Sequence, residues 1–85
     1  MRVNVLYFAR LREALGLSQE TLELPEGVCD IAGLMAWLAA RGEAWQQEFA
    51  GCRPLRAALN QSLVTQSAGL AEGDEVAFFP PVTGG

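Results

Sequence analysis

Two alternating runs near the ends of the chain, with a single long helical stripe between them, leave few folds open. Arg2 to Phe8 places Val3, Val5 and Tyr7 on one side and Arg2, Asn4, Leu6 and Phe8 on the other. That is the period-two pattern of a strand with two distinct faces. Glu75 to Phe79 repeats it, with Val76 and Phe78 opposed to Ala77 and Phe79. Between them Ile31, Leu34, Met35 and Leu38 recur at helical spacing. Asp30 is the expected N-cap of that helix. Arg41 is expected in its last turn and Gly42 as its stop.

The other elements are shorter. Ala9 to Leu15 reads as a helical insertion, with Leu11 and Leu15 four apart and Gly16 ending it. Gln19 to Leu24 alternates as a strand before the turn Pro25-Glu26-Gly27. Trp45 and Phe49 mark a second short helical turn closing at Gly51. Arg56 to Asn60 and Ser62 to Thr65 form a tight hairpin around Asn60-Gln61, and Leu70 plugs the core from an irregular connection. A helix lying across one face supplies the crossover that lets the first and last strands pair in parallel at the middle of a mixed sheet. The expected architecture is α+β: a ubiquitin-like β-grasp of about five strands, one main helix and a short insertion after the first strand. One domain is expected over residues 1–79, followed by an extended tail over 80–85.

Charge and composition exclude several functions. The six basic residues are all arginine, and against ten acids they leave a net charge of −4. This argues against nucleic acid or an anionic membrane as partner. There is no histidine and no lysine, so the commonest general base and the Schiff-base amine are both absent. The serines have no histidine to activate them. The chain is therefore expected not to be an enzyme on its own, and to bind no metal or cofactor by itself. Cys29 and Cys52 lack a metal or redox spacing and are expected to be small buried or half-buried thiols. No apolar run reaches the ~20 residues of a membrane span, and no signal-peptide pattern opens the chain, so a cytoplasmic location is expected.

The last residues, Phe78-Phe79-Pro80-Pro81-Val82-Thr83-Gly84-Gly85, carry the chemistry. Pro80 and Pro81 fix φ and drive their predecessors toward extended conformations, so the tail is expected to project from the final strand. Gly84 and Gly85 strip side chains from around a terminal carboxylate. A thin arm of this kind suits a carboxylate that is itself a substrate.

Three stretches together resemble the small, sulfur-carrier subunit family of molybdopterin synthase: Val5-Leu6-Tyr7-Phe8-Ala9-Arg10-Leu11-Arg12-Glu13, Ala58-Leu59-Asn60-Gln61-Ser62-Leu63-Val64, and Glu72 through Gly85. The resemblance implies that an adenylyltransferase similar to ubiquitin-activating enzymes joins Gly85 to AMP, consuming ATP, and that sulfur then displaces AMP to leave a thiocarboxylate. It implies that the tail enters the large synthase subunit, in a heterotetramer, and that the sulfur passes to cyclic pyranopterin monophosphate. Sulfur carriage to a thiamine precursor or a tRNA uridine, and conjugation as a ubiquitin-like modifier, stand as alternatives.

Alternation also predicts a docking face. Leu6, Phe8, Ala77 and Phe79 share the face away from the main helix, and Leu63 extends it from the hairpin. Exposed apolar patches mark interfaces. Phe8, Leu63 and Phe79 are therefore the expected contacts to the large subunit and to the activating enzyme.

Overall fold

A computed structural model describes residues 1–51 and 54–81. In chain order the elements are β1 (Arg2–Tyr7), α1 (Arg10–Leu15), β2 (Gln19–Glu23), α2 (Ile31–Ala39), α3 (Glu43–Phe49), β3 (Arg56–Leu59), β4 (Ser62–Val64) and β5 (Glu75–Phe79). The five strands form one sheet in the order β2-β1-β5-β3-β4. β1 and β5 run parallel at its centre, and every other pairing is antiparallel. This is the β-grasp arrangement expected from the alternation and the single crossover.

The helices lie on one side of the sheet. Leu11 from α1, Ile31, Leu34 and Leu38 from α2, and Phe49 from α3 share one core with Val3, Val5, Tyr7, Val76 and Phe78. The strand residues in that list are 0–1% exposed. Aromatic rings thicken the layer. Phe49 meets Phe78 edge-on at 5.0 Å and stacks on Trp45 at 6.1 Å, and Tyr7 meets Trp45 edge-on at 5.7 Å. Such contacts add to simple area burial. Trp37 and Trp45 are half-buried against this core.

Local chemistry explains the boundaries. The Asp30 carboxylate accepts the Gly33 N–H at 2.7 Å, capping α2 as expected. A Cβ on Gly33 would sit 3.1 Å from that same oxygen, so the glycine that weakens the helix also lets its cap approach closely. Asn60 and Gln61 take positive φ of 49° and 72°, the type I′ geometry that matches strand twist in a two-residue hairpin.

Three expectations are corrected. α2 ends at Ala39 with Ala40 as its C-cap, while Gly42 is the N-cap of α3. Gly42 therefore starts a helix rather than stopping one, and Arg41 lies between the two. Arg41 is held there by a bidentate pair with Glu20 at 2.7 and 3.2 Å and by Trp45, whose ring centroid is 4.2 Å from the guanidinium. Cys29 is an exposed free thiol rather than a buried one, since it lies in the loop before the Asp30 cap. Cys52, like Arg53, lies outside the described residues. β1 ends at Tyr7 rather than Phe8, although the Phe8 N–H still donates to the Phe78 carbonyl at 3.1 Å.

Candidate functional site

Strand register assembles the open face row by row. Leu6 lies across from Ala77, Ala77 across from Ala58, and Ala58 across from Leu63. One step further along, Tyr7 pairs with Phe78, so Phe8 and Phe79 follow side by side on the open face. Arg56 stands opposite Phe79 on β3. Apolar side chains thus run across four strands with none of the described helices over them.

The expected contact residues do not share one environment. Phe8 is 47% exposed and Leu63 68% exposed, the two exposed large hydrophobics among the described residues. Phe79 is half-buried, as are Leu6 and Ala58. Ala77, walled in by neighbours on the central strand, is 9% exposed. The face is a shallow apolar floor with Phe8 and Leu63 standing on it. Phe8 is not tucked under α1.

The structure also shows what holds the two prominences. Phe8 enters a tight turn in which the Leu11 N–H donates to its carbonyl at 3.1 Å. The next residue, Ala9, has φ 54° and ψ −128°. Arg10, after the turn, donates through Nε to the buried Glu48 carboxylate at 3.2 Å and so ties α1 to α3. On the other side Asn60 latches the hairpin to β5. Its amide nitrogen donates to Asp74 Oδ1 at 3.0 Å and its amide oxygen accepts the Glu75 N–H at 3.0 Å. Asp74 further accepts the Ala71 N–H at 2.8 Å. Asp74 thus supplies the turn chemistry that leads into β5.

Beneath the open face lies a polar cluster on the helix side. The Tyr7 hydroxyl donates to Glu20 Oε2 at 2.7 Å, the oxygen that also accepts Arg41 Nη1. Burial, reinforced by the Glu20 charge, pushes the Tyr7 phenol well above its ordinary range. Burial alone would raise Glu20, but the hydrogen bonds from Arg41 and Tyr7 outweigh it and hold the carboxyl below its usual value. The Glu20 hydrogen bond raises Arg41 in turn.

The tail is only partly in view. Pro80 and Pro81 are half-buried, and Pro81 borders a cavity of about 370 Å³ with Met35, Phe49, Leu55 and Arg56. The chain thus still leans on the domain at Pro81, where departure was expected from Pro80. Val82, Thr83, Gly84 and Gly85 lie outside the described residues. Sequence reasoning missed Ala58, the latch from Asn60 to β5 and the Arg10–Glu48 tie. Ala58 could have been found by setting the hairpin register from Asn60-Gln61. Nothing in the sequence marks Glu48 as buried.

Known proteins place this surface in context. The profile of the ThiS family matches residues 5–85. The chain is 40% identical over 83 residues to a molybdopterin synthase sulfur carrier subunit from Escherichia coli, covering 98% of this chain and 99% of that protein. A putative molybdopterin converting factor subunit 1 from Pyrococcus furiosus superposes with a TM-score of 0.77 at 31% identity, covering 96% and 99% of the two chains. A Helicobacter pylori chain, in a complex of subunits 1 and 2 of molybdopterin-converting factor, superposes with a TM-score of 0.68 at 26% identity, covering both chains fully.

Proposed function

This chain belongs to the ThiS family, alongside the molybdopterin synthase sulfur carrier subunits, and from that premise we propose that it carries sulfur for molybdopterin synthesis. The observation that supports this most is the Phe-Phe-Pro-Pro-Val-Thr-Gly-Gly end, which continues from β5 beside an uncovered apolar face. The proposed domain spans 1–79 and the reactive arm 80–85.

The chemistry runs through Gly85. Its carboxylate attacks the α-phosphate of ATP on a ubiquitin-activating-enzyme-like adenylyltransferase, giving glycyl adenylate and releasing pyrophosphate. A sulfide-level donor attacks the carbonyl carbon, the C–O bond to AMP breaks, and a thiocarboxylate remains. In the large synthase subunit its sulfur passes to cyclic pyranopterin monophosphate. A chain without histidine or lysine is suited to this division of labour: acid–base groups and phosphate-binding charge are left to the partners. The chain is the non-catalytic subunit, holds no cofactor of its own, and works in the cytoplasm in a heterotetramer with two large subunits.

Phe8, Leu63 and Phe79 form the contact surface in this reading, and the Helicobacter pylori relative, found with its subunit 2, supports a large-subunit partner. The activating enzyme uses the same face, so the two partners compete.

Intact-mass measurement after incubation with ATP, the adenylyltransferase and a sulfur source tests the core of this proposal. One oxygen should be exchanged for sulfur at Gly85. Deleting Gly85, or adding one residue after it, should abolish transfer with the fold unchanged, since terminal residues contribute little stability. Normal transfer by the extended chain would overturn the reading. Transfer of the sulfur to a thiamine precursor or tRNA, but not to the pterin, would redirect it.

A further inference from the structure

Ala9 breaks two local rules at one position. Its φ of 54° and ψ of −128° place it at the second residue of a type II′ turn running from Phe8 to Leu11, closed by the Leu11 N–H to Phe8 carbonyl bond. That corner normally takes glycine, because a Cβ strains the backbone there. Ala9 is also the N-cap of α1, and it makes no side-chain capping bond. Alanine is among the poorest N-cap residues, whereas glycine is nearly as good as the best.

Glycine would cure both defects, and the chain uses it at Gly16, Gly27 and Gly73, where φ is likewise positive. Among the described residues, the other two non-glycine positions at positive φ, Asn60 and Gln61, occupy the left-handed region of a hairpin turn, which side chains tolerate better. Reduced freedom of the unfolded chain does not rescue Ala9, since that benefit is outweighed where φ is positive.

The described residues offer no compensation either. Ala9 is exposed and is not among the residues packed on the core. It directly follows Phe8, itself 47% exposed on the open face. Local rules broken without internal gain cluster at functional sites. We propose that the Ala9 methyl is itself a contact to the large synthase subunit, a specificity-determining extension of the Phe8 surface. This rests on the reading that the open face docks that subunit.

The variants Ala9→Gly, Ala9→Ser and Phe8→Ala, each in the full chain, test the assignment by thermal unfolding and by calorimetric titration with the purified large subunit. Ala9→Gly should raise Tm by about 5 °C while weakening binding about four-fold, the value of one buried methyl. Ala9→Ser keeps the Cβ and should bind within about two-fold of the parent. A gain in stability by Ala9→Gly with unchanged binding, while Phe8→Ala still binds weakly, would overturn the role of Ala9 alone. Unchanged or lowered Tm in Ala9→Gly would remove its premise. Unchanged binding by Phe8→Ala together with Phe79→Ala would overturn the docking reading itself, and this inference with it.

Discussion

The two faces of the sheet are built from the same strands by alternate residues, yet they meet different fates. On one face Val3, Val5, Tyr7, Val76 and Phe78 are sealed beneath three helices. On the other Leu6, Phe8, Ala58, Leu63 and Phe79 stand beside Arg2, Asn4 and Arg56, and none of the described helices packs over them. Apolar residues occur on both faces, but the covering elements are supplied to one. All three described helices contribute to one core, so none of them is left to cross to the other side. An apolar face left bare by its own topology is one that a second protein can cover without displacing anything.

Neighbouring phenylalanines give the sharpest way to break that contrast. Phe78 is fully buried and Phe79 half-buried. Phe78→Ala should cost about 3–5 kcal/mol of folding stability in denaturant unfolding, the range for removing a core aromatic. Phe79→Ala should cost about 2 kcal/mol or more of complex stability, the scale of a hot spot, with a smaller loss in unfolding. Equal unfolding losses at the two positions would mean the faces are not distinct.

A charge placed on the open face sharpens the comparison further. Leu63→Asp should leave Tm almost unchanged, because the side chain is 68% exposed. It should slow or weaken association with the large subunit, measured by calorimetry, through a charge buried without a partner at the interface.

The smallest expected effect belongs to the polar cluster on the covered face. Glu20 is held below its usual carboxyl range by Arg41 and Tyr7. Its contribution is therefore present above the unfolded-state carboxyl value of about 4.3 and is lost as pH falls through the lower folded value. Glu20→Gln should be less stable than the parent at neutral pH, and the two should converge in acid. A constant gap down the acid limb would show that the carboxylate charge is not what matters.

Much of this contrast was legible in the residues. Alternation assigned Val5 and Leu6 to opposite faces, and the lone stripe from Ile31 to Leu38 told which face is covered. Asn60-Gln61 marked the hairpin. Other features left no trace. Gly42 follows one helix and precedes another, and a glycine there reads equally well as stop or start. Arg41 is placed by Trp45, one helical turn on, and above all by Glu20, which is distant in sequence. Ala9 gave no sign of its positive φ, because alanine ordinarily signals helix. The half-burial of Phe79 depends on how its neighbours crowd a central strand, which no local pattern encodes.

The placement of β5 has a mechanical consequence. The strand that leads to Pro80 is flanked by β1 on one side and β3 on the other. A partner that grips the chain beyond Pro81 and pulls along the strand loads both ladders in shear. Their hydrogen bonds must then fail together rather than open one at a time, as they would if an edge strand such as β4 were peeled away. The domain can therefore bear a pull along its last strand without unravelling from that end.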